Sequence, residues 1–271
     1  MSSPLRLNKK VAIVTGSSSG LGRAIALRYA REGAKVVCAD LSETARAEIP
    51  AEGEITTHEL IIREGGEAGF VQTDVGDAGQ MERLVGAAVE RFGRLDVMVN
   101  NAGISIEART PAVCHLTDEE TWDTTMRVNV KSVFLGCKYA TAQMLKQPPH
   151  SSGDRGWIIN MSSIKGIIAG LYSPSYCASK GAVSNLTRQV ALDYAPHRIH
   201  VNAICPGYTQ TAILKETTTH MASVEDLERR HPFGGLGKPD DIARIAVVLA
   251  SEDANWVTGI LLPVDGGYTA R

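Results

Sequence analysis

Val11-Ala12-Ile13-Val14-Thr15-Gly16-Ser17-Ser18-Ser19-Gly20-Leu21-Gly22 is an apolar, β-branched run that turns on serine and glycine. It passes straight into Leu21–Glu32, whose apolar residues recur at helical spacing. Strand, glycine turn and helix start, in that order, make a phosphate site. Glycine permits the tight turn and close approach, and the first helical N–H groups with the positive end of the helix dipole meet an anion. The spacing is GxxxGxG rather than GxGxxG, so the turn counts because of its place between strand and helix. The contacts expected from this turn are Gly16, Ser18, Ser19, Gly20 and Leu21.

Outward from that turn, short strand-like runs alternate with longer amphipathic ones. The strands are Val11–Thr15, Lys35–Asp40, Gly69–Thr73, Leu95–Asn100, Trp157–Met161, Ile199–Cys205 and Ile260–Val264. Helices are expected over Leu21–Glu32, Gly79–Phe92, about Asp118–Lys146, Tyr176–Ala195 and Pro239–Ala250. The alternation predicts an α/β, doubly wound fold: one predominantly parallel seven-stranded sheet with helices on both faces. Two segments, 41–66 and 147–156, read as loop elaborations without obvious chemistry; Ile49-Pro50-Ala51-Glu52-Gly53 breaks any single helix in the first.

The 271 residues, 44% hydrophobic, suit one domain spanning 1–271. A formal charge of −2 with scattered acids and bases disfavours nucleic acid and leaves a small molecule as the expected partner. Met1–Lys10 lacks the apolar stretch of a signal peptide, and no run reaches the ~20 apolar residues of a membrane span. A cytoplasmic protein is expected. Its five cysteines form no CxxC pair, three of them lie in strongly apolar strand-like or helix-like contexts, and they read as reduced core thiols. His197 and His200 have no third ligand nearby, so no metal site is expected.

Asp40 ends the second strand, where a carboxylate can accept hydrogen bonds from both adenosine ribose hydroxyls and repel a 2′-phosphate. Ser19 and Leu41, the neighbouring places for a phosphate-binding base, are uncharged, so the expected cofactor is NAD rather than NADP. The competing reading of Asp40 is a turn or cap before Leu41-Ser42. Asp74-Val75, after the third strand, is a candidate adenine contact or simply a strand-end turn.

Together with Asn100-Asn101-Ala102-Gly103, Asn129, Ser162-Ser163, Tyr176-x-x-x-Lys180, Pro206-Gly207 and Val264-Asp265-Gly266-Gly267, these residues resemble the short-chain dehydrogenase/reductase family over nearly the full length. The resemblance implies a Rossmann fold. It implies that Asn101, Ala102 and Gly103 line the adenosine side, and that Pro206, Gly207, Thr209 and Thr211 hold the nicotinamide carboxamide. It also implies that Asn129 sits in a helix kink, where its backbone carbonyl holds a water joined to Lys180; by itself it is a polar residue in an apolar helix.

Tyr176 and Lys180, four apart, share one helix face. A free phenol ionises near pH ~10, too high for a base at neutral pH. An ammonium ~4 Å away is worth ~4 kcal/mol at an effective dielectric of ~20, about three pKa units, so only a partly buried pair could poise Tyr176 near neutrality. As a phenolate it would take an alcohol proton while hydride leaves the same carbon; as a phenol it would protonate the alkoxide formed in reverse. Ser163, at a strand's carboxyl end, could hydrogen-bond the reacting oxygen; family spacing favours it over Ser162.

The expected function is hydride transfer between NAD(H) and a secondary alcohol or ketone. The alternatives are an NADPH-dependent 3-ketoacyl (carrier protein) reductase and a non-catalytic dinucleotide-binding protein. By analogy with the family, residues 209–233 form a substrate lid and the chain assembles as a homotetramer, or a homodimer, through Asp118–Lys146, Tyr176–Ala195 and Val264–Tyr268. Tyr208, Leu214, Met221, Ile164, Tyr172 and Ile104 are candidate pocket walls. Lys165, two residues past Ser163, is either a contact for a polar or anionic substrate group or a solvated lysine.

Overall fold

The computed structural model describes residues 5–47 and 52–270. The strands are β1 (Val11–Thr15), β2 (Lys35–Asp40), β3 (Ala68–Gln72), β4 (Val97–Asn100), β5 (Gly156–Met161), β6 (Ile199–Pro206) and β7 (Leu261–Val264). All pair in parallel, in the order β3-β2-β1-β4-β5-β6-β7. The chain winds outward to β3 and returns to place β4 on the other side of β1, so a crevice opens beyond the carboxyl ends of β1 and β4.

Helices cover both faces: α1 (Gly20–Arg31), α2 (Thr57–Arg63), α3 (Ala78–Phe92), α4 (Glu119–Met126), α5 (Ser132–Lys146), α6 (Pro174–Tyr194), α7 (Ala212–His220), α8 (Val224–Arg229) and α9 (Pro239–Leu249). Strand alternation divides the core. Ala12 and Val14 pack with Ile25 and Tyr29 of α1 and Ile242 of α9, while Val11 and Ile13 face Met81 and Leu84 of α3. The Tyr29 hydroxyl donates to the Ala246 carbonyl at 2.9 Å, tying α1 to α9.

Three expectations need correction. The helix expected over Asp118–Lys146 is divided by a π-helical turn, Arg127–Lys131, which widens the backbone at buried Asn129. Within 41–66 a short helix forms after all, because Thr56 and Glu59 make a capping box that starts α2; the break at 49–51 lies outside the described residues. Cys38, Cys137 and Cys205 are buried, but Cys114 is exposed and Cys177 half-buried, so the core-thiol reading holds for three of the five.

The 147–156 connection serves the opposite end of the sheet. The Gln147 amide bridges both backbone groups of Leu95, at 3.0 and 2.7 Å. His150 meets Asp96 at 2.8 Å, and His200 meets Asp154 at 2.9 Å. The Trp157 ring lies between the two histidines, with the Lys10 ammonium 3.2 Å from its centroid.

Candidate active site

The glycine turn is shaped by what a side chain would strike. Gly16 and Gly20 have φ of 65° and 57°, and a Cβ on Gly22 would lie 2.0 Å from the Gly16 carbonyl oxygen. Asn101 closes the turn from β4, its amide donating to the Thr15 and Gly16 carbonyls at 2.8 and 3.2 Å. Ser19 caps α1 by backbone position only, leaving the first helical amides for another acceptor. One acceptor is the Glu52 carboxylate, which takes the Gly20 N–H at 2.9 Å. An anion therefore already sits at this helix end, as expected where dipole and unpaired amides converge.

The cradle opens into a cavity of about 410 Å³ beyond the carboxyl ends of the strands. Gly16, Ser19, Gly20 and Leu21 line it from the turn, Asp40 and Leu41 from β2, and Asp74 and Val75 from the end of β3. Asn101, Ala102 and Gly103 follow β4, and Pro206, Gly207, Thr209 and Thr211 follow β6. Of the expected cofactor contacts, Ser18 alone is not in the wall. Its amide donates to Asp40 at 3.1 Å and its hydroxyl to the Ser42 carbonyl at 2.6 Å, so it ties the turn to the β2 exit. Asp40 also accepts from the Leu41 amide at 2.8 Å, and Asp74 pairs with Arg127 at 2.9 Å.

Ser163, Tyr176 and Lys180 line the same cavity. Ser163 ends the β5 exit and accepts the Lys165 amide at 3.1 Å, whereas the Ser162 hydroxyl turns inward to the Lys180 carbonyl at 3.0 Å. Lys180 is buried, donates to the Met161 carbonyl at 2.9 Å and places its ammonium 5.6 Å from the centre of the Tyr176 ring. Burial pushes this lysine down to about 8. Burial also pushes the Tyr176 phenol up to about 12, against the pull of the Ser163 hydroxyl. The expectation that a partly buried pair with Lys180 poises Tyr176 near neutrality is therefore corrected for the protein without its cofactor, where desolvation outweighs the lysine.

Asn129 lies outside the cavity wall, fully buried in the π-helical turn. Its side chain exchanges hydrogen bonds with the backbone of Ile104, at 2.8 and 2.9 Å, and donates to the Ser179 hydroxyl at 3.1 Å. Ser179 in turn donates to the Tyr176 carbonyl at 2.8 Å. Asn129 thus joins the loop after β4 to the helix carrying Tyr176.

Three residues escaped the sequence reading. Buried Glu107 accepts the Ser175 and Tyr176 amides at 2.8 and 2.9 Å, capping α6 where Ser173 makes no side-chain cap. Arg46, six residues past Asp40 in the chain, lines the cavity 3.9 Å from Glu216 of α7. Glu52 is the third, so the 41–66 elaboration supplies a wall residue and a carboxylate at the α1 terminus. Position beyond β2 was the one signal for Arg46 and Glu52; nothing local marked Glu107.

Residues 16–269 match the family described as Enoyl-(Acyl carrier protein) reductase. A structure from Agrobacterium tumefaciens, provisionally assigned as a 2-deoxy-D-gluconate 3-dehydrogenase and holding NADP, superimposes with a TM-score of 0.84 at 33% identity, covering 100% of both chains. This chain belongs to the short-chain dehydrogenase/reductase family. As a short-chain dehydrogenase/reductase it is an oxidoreductase, and its relatives agree. It is 39% identical over 264 residues to the 2,5-dichloro-2,5-cyclohexadiene-1,4-diol dehydrogenase of Sphingobium indicum, covering 97% of this chain and 98% of that one. It is 38% identical over 266 residues to the 2-(R)-hydroxypropyl-CoM dehydrogenase of Xanthobacter autotrophicus, covering 96% and 99%.

Proposed function

We propose that this enzyme interconverts a secondary alcohol and its ketone with NAD(H), Tyr176 carrying the proton. The observation that carries the reading is the placement of Ser163, Tyr176 and Lys180 on the wall of one cavity with the glycine cradle. The cradle fits a dinucleotide: its glycines clear the space, and the Glu52 carboxylate shows that the α1 terminus accepts an anionic oxygen. Gly16, Gly20 and Leu21 would hold the pyrophosphate, Asp40 the adenosine ribose, Asp74 and Val75 the adenine, and Pro206 to Thr211 the carboxamide. The nicotinamide supplies the site that donates or accepts hydride.

Ser163 orients the substrate oxygen by a hydrogen bond, Tyr176 takes or gives its proton, and Lys180 opposes the charge that develops on the phenol. Asn129 holds the Lys180–Tyr176 helix in register. Desolvation holds the phenol high against Lys180, and an oxidised nicotinamide, when bound, would add positive charge that favours the phenolate. Residues 209–233, with α7 and α8, act as the substrate lid.

Asp40 supports NAD; Arg46, a second wall residue beyond β2, supports NADP. Of the two, Asp40 sits on the strand end and Arg46 on a loop tethered to Glu216, so we favour NAD. Fluorescence titration should show NADH binding more tightly than NADPH, and equal or reversed affinities would refute the assignment. A screen of ketones and alcohols with both cofactors tests the reaction; no turnover of any alcohol or ketone would favour the non-catalytic alternative. The near-neutral charge favours free small molecules over a carrier protein. We place the enzyme in the cytoplasm and propose a homotetramer, since Phe134 and Leu145 of α5, Leu192 of α6 and Trp256 near the C-terminal strand are exposed. Sedimentation showing only monomer at micromolar concentration would count against assembly.

A further inference from the structure

Charge is divided unevenly along the cavity. Its two acidic wall residues, Asp40 and Asp74, both stand at the cofactor end, by β2 and β3. The other end, walled by Tyr172, Tyr208, Leu214 and Met221, holds no carboxylate among the described residues and two cations, Lys165 and Arg230.

Lys165 is placed with some care. Its amide donates to the Ser163 hydroxyl at 3.1 Å, fixing the turn that carries both side chains. Its chain crosses Gly170 so closely that a Cβ there would lie 2.2 Å from the ammonium; a glycine at this position keeps the path open. The ammonium stands 5.9 Å from the centre of the Tyr208 ring, itself part of the wall. Half-buried, it pairs with no carboxylate among the described residues. The charge of Arg230 reaches the same ring, drawing the Tyr208 phenol down against the larger upward push of burial. Lys165, a partly desolvated cation facing an aromatic wall and paired with no carboxylate among the described residues, attracts an anion.

We propose that the alcohol or ketone bound here carries a small anionic group, a carboxylate or similar oxyanion, held by Lys165 while the carbon being oxidised lies against Ser163 and Tyr176. This rests on the dehydrogenase reading for the alcohol and on Lys165 for the anion.

The two parts separate experimentally. With the enzyme saturated by reduced dinucleotide, an alcohol forms a complex that cannot react, so calorimetry reads binding alone. The probes are 3-hydroxybutyrate and 4-hydroxypentanoate, each against its methyl ester. At least one acid should bind tenfold or more tightly than its ester, the preference should fall within twofold in Lys165→Met, and Lys165→Arg should keep most of it. Failure of both acids to exceed their esters, or a preference that survives Lys165→Met, overturns the proposal. Turnover with the oxidised cofactor is then read by absorbance. An acid that binds through Lys165 without being oxidised sinks the dehydrogenase reading and leaves the anion site standing. An ester or neutral alcohol oxidised without any acid preference does the reverse.

Discussion

Tyr176 is half-buried at the carboxyl edge of the sheet, and its surroundings oppose ionisation more than they favour it. Removing its hydroxyl should therefore expose how much of the rate is proton transfer. Tyr176→Phe is expected to keep dinucleotide affinity, read by fluorescence titration, and to lose turnover by ~10³, within the range for a positioned acid or base. The pH profile has a sign fixed by the same geometry. Alcohol oxidation needs the phenol without its proton, so its rate should climb from pH 6 towards 8, while ketone reduction, which needs the phenol protonated, stays level over that window. By about 8 Lys180 is losing its charge, and the climb should flatten. Matched profiles in both directions check this; two flat profiles would remove Tyr176 from the mechanism.

At the scale of elements, α6 is the part on which the site depends, and its first turn is held from outside. Glu107→Gln replaces one accepting oxygen by an NH₂ group that faces an amide donor. A loss of about 1–2 kcal/mol is expected from the cap, read by denaturant unfolding. Turnover should fall with unchanged cofactor affinity, because Tyr176 is itself one of the capped residues. This contact shows where sequence reading ends. The strands and α1 were legible because apolar alternation and helical spacing are local, and Tyr176 and Lys180 because four residues on a helix settle a shared face. Glu107 was not legible, since its partners are 68 and 69 residues away and its neighbours read as loop. The π-helical turn had no proline or glycine to announce it, and only the family resemblance, which puts Asn129 in a helix kink, pointed there. Residues 52–63 were illegible for another reason: a seven-residue helix is too short to show periodicity, and where its loop docks is a tertiary fact.

Across the whole molecule, the cleft end of the sheet is open and the opposite end is locked by ion pairs. Burial pushes the Asp96 carboxyl up, but His150, the Val11 amide and Arg94 outweigh it and hold it below the usual carboxylate range. For Asp154, likewise, His200, Ser152 and Arg198 outweigh burial. A carboxylate depressed in the folded state stabilises fully above its unfolded pKa of ~3.9 and loses that contribution as pH falls through the folded value. Stability should thus drop steeply below pH ~4. Asp96→Asn should cost about 2–3 kcal/mol at pH 7 and flatten the acid limb, as unfolding curves at both pH values would show. At the open end, the bond between Glu52 and Gly20 would make loading an exchange rather than an addition, because on the proposed reading an arriving phosphate oxygen and the resident carboxylate compete for one N–H. Stopped-flow association rates should then level off as dinucleotide concentration rises, limited by departure of the loop. In Glu52→Ala the same plot should stay straight.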